Sequence, residues 1–192
     1  VANFPSKNYI YHEPYGVCLI IGAWNYPLQL TLAPVIGAIA AGHTCIVKPP
    51  RASIHTYRLV QKIIQDTFDE NYMAVLDEDS DNQEMLANRY DYIFFTGGVE
   101  IGRTIARAAA EHLTPTTLEL GGKSPCIVDK NVDVEVAARR VAWGKFLNGG
   151  QTCIAPDYLL LHASVKEKFY KAFAKSVKSF YGNNPQDSVD FP

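Results

Sequence analysis

A cysteine in a glycine-rich turn, Asn148-Gly149-Gly150-Gln151-Thr152-Cys153, and a glutamate set against two glycines, Glu119-Leu120-Gly121-Gly122-Lys123, are the residues of this chain whose types could do chemistry together. Glycines beside a thiol remove the Cβ atoms that block close approach, so backbone N–H groups can face the sulfur or an oxyanion formed next to it. A free cysteine titrates at about 8.5, so useful thiolate at neutral pH needs a dipole, a cation or a base nearby. A carboxylate is such a base, and it can equally activate water. Taken singly, Cys153 reads as a small buried hydrophobe and Glu119 as a solvated surface charge. The place of Glu119 argues for more, because it ends an apolar run, 115–120, that reads as a strand.

The elements that must hold these residues follow from hydrophobic periodicity. Apolar, β-branched runs at 17–21, 44–47, 92–95, 126–128 and 158–161 read as buried strands, and longer amphipathic stretches separate most of them. That alternation predicts an α/β fold with a parallel sheet. A helix is expected from Ser53, with Ile54, Tyr57, Val60, Ile64 and Phe68 on its apolar face, and another over 101–113 directly after glycines. Ser164-Val165-Lys166-Glu167 has the form of a capping box opening a helix that carries Phe169, Phe173, Val177 and Phe180 and stops at Gly182. These aromatics read as core. Residues 66–84 hold eight carboxylates with little periodicity, and predict a solvated connection around a short strand at 72–76, without a function of its own.

Composition bounds the partners. The chain has 192 residues, 47% of them hydrophobic, enough for a core, and a net charge of −2 with its 18 Lys and Arg dispersed. No basic field is available for nucleic acid. The apolar run 28–41 is broken by Gln29, Thr31 and Pro34, so no membrane segment is expected in these residues. Cys18, Cys45 and Cys126 lie inside apolar runs with no CxxC pair, which fits reduced thiols and a cytoplasmic setting. The five histidines lack ligand spacing, so no metal site is expected, and no G-x-S-x-G elbow is present.

A strand over 92–95, then Thr96-Gly97-Gly98, then a helix opening at 99–102 would place backbone N–H groups and a positive helix end where a pyrophosphate could sit. Such turns are also ordinary tight connections, and the spacing is not G-x-G-x-x-G. Lys48 follows a strand and precedes two prolines. On its own it reads as a surface lysine.

Together, Leu118-Glu119-Leu120-Gly121-Gly122-Lys123-Ser124-Pro125 and Gly150-Gln151-Thr152-Cys153, with Glu and Cys 34 positions apart, resemble the two signatures of the NAD(P)-dependent aldehyde dehydrogenases. Trp24-Asn25-Tyr26-Pro27, Val47-Lys48-Pro49 and Phe95-Thr96-Gly97-Gly98-Val99-Glu100-Ile101-Gly102 fall in the family's order, and Cys153-Ile154-Ala155-Pro156-Asp157-Tyr158 resembles its class 3 branch, which acts on fatty or aromatic aldehydes. The resemblance implies a Rossmann-like parallel-sheet cofactor domain at 15–121, a bridging-strand region at 1–14, and the first part of an α/β catalytic domain at 122–192, truncated at both ends.

It also implies roles. Cys153 would attack the aldehyde carbonyl, the Asn25 amide and the Cys153 N–H would hold the oxyanion, hydride would pass to NAD or NADP, and Glu119 would activate water to hydrolyse the thioester. Asn25 alone reads as a turn residue before Tyr26-Pro27. Lys48 would meet the adenosine ribose, with Trp24, Gly97, Gly98 and Gly102 also at the cofactor. Where the family commonly has a glutamate three residues after this lysine, Arg51 stands here; a cation removes the obstacle to a 2′-phosphate and could pair with it, or could face solvent. A later Glu-x-Phe-Gly-Pro segment and the strand of a family homodimer are not among these residues. Residues 1–192 alone are therefore expected to lack a complete site, with Phe169, Phe173 and Phe180 short of partners, and the alternative is a truncated, inactive relative acting as a binding module.

Overall fold

Four of the five residues of β1 (Val17–Ile21) are buried, a pattern that a strand shows when both of its faces are covered. The computed structural model describes residues 4–191 and supplies the cover. Successive strand residues point to opposite faces. Cys18 and Ile20 pack with Val35 of α1 (Gln29–Ala40) and with Val60 and Ile64 of α2 (Ile54–Thr67). Leu19 and Ile21 pack on the other side with Met85 of α3 (Asn82–Ala87) and with Ile105 and Ala109 of α4 (Val99–Glu111).

β1 is also flanked at both edges, by β2 (Thr44–Lys48) and β4 (Tyr92–Thr96). With β3 (Met73–Val75) and β5 (Thr116–Glu119) they form a parallel sheet in the order β3-β2-β1-β4-β5. The chain runs outward from β1 to β3 and then restarts on the other side at β4. That reversal opens a crevice beyond the carboxyl ends of β1 and β4, the usual ligand position in an open parallel sheet. All of this lies in the first of two compact units, Val1–Leu120.

The second unit, Gly121–Pro192, pairs β6 (Ser124–Val128) with β7 (Pro156–Leu161) in parallel, with α5 (Val134–Phe146) between them in sequence and α6 (Lys166–Tyr181) after them. Asp133 caps α5 by accepting from the N–H groups of Glu135 and Val136 at 3.0 and 3.2 Å. Val128, Val134, Ala138, Val141, Val165, Phe169 and Ala172 form its core.

The α/β class and the parallel sheet are as predicted, and four local details differ. The helix after Ala163 is not opened by a capping box: the His162 ring accepts from the Ser164 N–H at 3.3 Å and pairs with its hydroxyl at 2.8 Å, which occupies the serine that would have capped α6. The stretch 66–84 runs into a helix, α3, which begins at Asn82 because Asp81 accepts from the Gln83 N–H at 2.8 Å and Met85 is drawn into the core. The aromatics of α6 have partners within their own unit: Phe169 is 1% exposed, Phe173 stacks on it at 6.0 Å, and Arg139 lies 4.9 Å over Phe180. In the expected bridging-strand region 1–14, the described residues 4–14 include no strand.

The two-sided burial of β1 sets a stability test. Leu19→Ala should lower stability by about 2–5 kcal/mol in urea unfolding of the full-length natural protein, whereas Leu19→Met, which conserves volume, should cost less than about 1.5 kcal/mol.

Candidate active site

The carboxyl ends of neighbouring strands bring most of the expected residues of the first unit to one edge. Ile21 and Lys48 are register partners, and the Gly22 N–H donates to the Lys48 carbonyl at 3.0 Å. Gly22 must be glycine, since a Cβ there would run into the Thr31 hydroxyl, which itself donates to the Pro27 carbonyl at 2.7 Å. The turn that follows carries exposed Trp24 and half-buried Asn25. The Ser53 hydroxyl donates to the Trp24 carbonyl at 3.3 Å and ties this turn to the segment after β2. Asn25 stands at the head of an apolar groove along α1, lined by Tyr26, Leu28, Leu32, Ala33 and Ile36.

Lys48 is not a surface lysine. Its residue is 8% exposed, and its Nζ has no hydrogen-bond partner among the described residues. Burial, reinforced by the neighbouring Arg51 charge, pushes its pKa below the ordinary lysine value. Arg51 opens the short helical turn Arg51–Ser53 and pairs with Asp79 at 2.8 Å.

On the far side of β1, two glycines of the β4–α4 turn and one in the first turns of α4 differ in what they provide. The Gly97 N–H donates to the Glu119 carbonyl at 2.9 Å, and a Cβ on Gly97 would strike the Phe95 ring. A Cβ on Gly102 would lie 2.7 Å from Leu120, so this glycine lets α4 settle onto the sheet. At Gly98, the residue that opens α4, a Cβ would meet nothing within 4 Å. Glu119 ends β5 beside Thr96 and is exposed.

In the second unit, α5 gives way to three left-handed residues in a row: Asn148 at φ 52°, Gly149 at φ 61° and Gly150 at φ 77°. Asn and Gly are the residues that reach this region at least cost. A Cβ on Gly150 would sit 2.9 Å from the Lys145 carbonyl, so that position is closed sterically as well. The chain then presents Cys153 exposed. Gly122 packs directly on the Cys153 carbonyl, with no space for a side chain. Gly122 thus braces the cysteine loop, a contact for which the separation of the two strings in sequence gives no signal. Lys123 and Asp157, at 3.4 Å, link the same two segments. Cys153 and Glu119 belong to different units, and each is placed here within its own.

Residues 3–191 match the family profile described as the aldehyde dehydrogenase family. This chain belongs to the aldehyde dehydrogenase family. It is 49% identical over 184 residues to the dimeric NADP-preferring aldehyde dehydrogenase of Rattus norvegicus, covering 95% of this chain and 41% of that one. It is 47% identical over 187 residues to aldehyde dehydrogenase family 3 member A2 of Mus musculus, covering 97% and 39%. Among solved structures, the substrate-bound state of Staphylococcus aureus AldH superposes with a TM-score of 0.90 at 47% identity, over 98% of this chain and 41% of that one. The chain spans about two-fifths of the length of these relatives. The resemblance to the family and to its class 3 branch is borne out.

The thiols of this aldehyde dehydrogenase chain are sorted by burial. Desolvation pushes Cys18 up to about 12, with Cys45 and Asp91 adding to it, and pushes Cys45 up to about 11. A raised thiol pKa means that the neutral form persists at higher pH, so both stay protonated throughout the neutral range. Brief iodoacetamide treatment of the folded protein between pH 7 and 9 should label Cys153 first and leave Cys18 and Cys45 untouched by peptide mapping. Faster labelling of either buried thiol would remove Cys153 as the nucleophile.

Proposed function

We propose that the full-length natural protein oxidises an aldehyde to a carboxylic acid with NAD or NADP, and that Cys153, Asn25 and Glu119 carry the reaction. The observation that carries this reading is the exposure of Cys153 on its left-handed turn, while Cys18 and Cys45 are buried and protonated. When bound, the dinucleotide supplies the hydride acceptor. Lys48 would hold it, because a buried ammonium without a partner is satisfied by the acceptor oxygens of a ribose. Gly98 would admit a phosphate to the N-terminus of α4, with Trp24 on the neighbouring turn. Gly97 and Gly102 would serve by packing. The rat relative is NADP-preferring by name, and Arg51 in place of a carboxylate fits the same preference.

In this reading the Cys153 thiolate forms a C–S bond to the carbonyl carbon, and the negative charge moves onto the substrate oxygen. The Asn25 amide and the Cys153 N–H donate to that oxygen and stabilise it. The groove beside Asn25 suits an apolar chain or ring on the aldehyde. At the thioester level of oxidation, Glu119 takes a proton from water, the water oxygen adds to the acyl carbon, and the C–S bond breaks to return Cys153 with release of the acid. A homodimer, with the rat relative named as dimeric, and a cytoplasmic setting are part of the proposal. No helix among the described residues is long and apolar enough to cross a membrane.

Glu119→Gln should separate the two half-reactions. In the full-length natural protein the pre-steady-state burst of reduced cofactor should survive, while steady turnover falls by about 10²–10⁴-fold, as expected for loss of a general base. Unchanged steady turnover would remove Glu119 from the mechanism.

A further inference from the structure

The segment after β3 lies at the same carboxyl edge as Lys48, and it is held there residue by residue. The Tyr57 hydroxyl donates to the Leu76 carbonyl at 2.6 Å, and the Leu76 N–H donates to the Val47 carbonyl at 3.0 Å, which fixes where the segment starts. Its next three residues are acidic, and each meets one side chain from the stretch 51–61. Asp77 accepts from Gln61 at 3.4 Å, Glu78 accepts the two-pronged fork of Arg58 at 2.9 and 2.8 Å, and Asp79 accepts from Arg51 at 2.8 Å.

The three contacts are unequal. Glu78 is locked by a bidentate guanidinium, whose hydrogen bonds hold its carboxyl below the usual carboxylate range. Asp79 meets Arg51 through a single bond, and the two side chains remain 88% and 57% exposed. An ion pair of that kind is weak and screened by salt, so a stronger anion can displace it. Arg51 is also close enough to the buried, unpartnered Lys48 for its charge to depress the lysine's pKa, so both cations act on the same edge.

We infer that Asp79 is a specificity-determining residue, which competes with a ribose 2′-phosphate for the Arg51 guanidinium and thereby sets the ratio of NADP to NAD binding. The inference rests on the proposed cofactor reading of this edge. A 2′-hydroxyl makes no comparable claim on a guanidinium, so NAD binds without breaking the Arg51–Asp79 pair. A 2′-phosphate brings about two negative charges and three acceptor oxygens; it must either displace Asp79 or share Arg51 with it at the cost of like-charge repulsion. The carboxylate is therefore a brake on NADP, set against the cation that otherwise favours it.

The test is a fluorescence titration of NADP+ and NAD+ against the full-length natural protein and its variants at low ionic strength. Asp79→Ala should raise the NADP/NAD affinity ratio by roughly three- to tenfold, the range of an exposed charge pair plus a removed repulsion, and added salt should shrink the gain. In an Arg51→Leu background the same substitution should have no effect on the ratio. Glu78→Ala, which removes an equal charge one residue away, should change the ratio less. An unchanged ratio in Asp79→Ala, a gain that persists without Arg51, or an equal gain from Glu78→Ala would each overturn the inference. Lys48→Leu tells the two levels apart: if it weakens both dinucleotides while Asp79→Ala leaves the ratio alone, the cofactor reading stands and the role of Asp79 falls. If Lys48→Leu affects neither dinucleotide, the reading falls and the inference with it.

Discussion

Burial of β1 on both faces is the constraint from which the rest of the first unit follows. A strand whose last four residues are covered by α1 and α2 on one side and by α3 and α4 on the other leaves none of those side-chain positions for polar chemistry. Its neighbours in the middle of the sheet are almost as confined. Polar groups can be delivered only where strands end, and Asn25, Lys48, Gly98 and Glu119 all sit at or just beyond the carboxyl ends of β1, β2, β4 and β5. The glycines at that edge make the delivery possible. Gly22 and Gly97 exist because Thr31 and Phe95 occupy the space their side chains would need, whereas Gly98 leaves space unfilled. Lys48 is the extreme case, an ammonium carried into the buried end of β2 with no hydrogen-bond partner among the described residues.

The second unit solves a different problem, which is to hold one thiol exposed on a defined backbone. Three consecutive left-handed residues turn the chain out of α5, and backbone contact with Gly122 limits where the cysteine loop can go. Burial separates this exposed thiol from Cys18 and Cys45. The same chain holds two thiols in adjacent register positions of β1 and β2, Cys18 and Cys45, and desolvation keeps both in their neutral form.

Much of this was legible in the sequence, and what was not has physical causes. Strands with continuous apolar runs, such as β1 and β4, and helices with a clear stripe, such as α2, stand out because burial dictates residue type along their whole length. Helix α3 did not, because a six-residue helix has too few turns to show a period, and Asp77, Glu78, Asp79 and Asp81 around its start suggest a solvated loop. The capping box at Ser164 was a false positive, since the pattern does not reveal that His162 is within reach of the same hydroxyl. The candidate site residues stand out in the sequence as types and spacings. The brace of Gly122 on Cys153, the burial of Lys48 and the pairing of Arg51 with Asp79 are long-range contacts, which spacing alone does not encode.

An unpaired buried ammonium lowers stability unless a ligand uses it, and substitution of Lys48 reads both sides of that statement at once. Lys48→Met keeps the length of the side chain and removes its charge. Thermal unfolding of the full-length natural protein without ligand, with dinucleotide titration alongside, is the most direct test. Lys48→Met should melt about 2–4 °C higher than the parent and lose most of its dinucleotide affinity. A variant that melts lower and binds as before would show that Lys48 is a structural residue, and would contradict the placement of the cofactor at this edge.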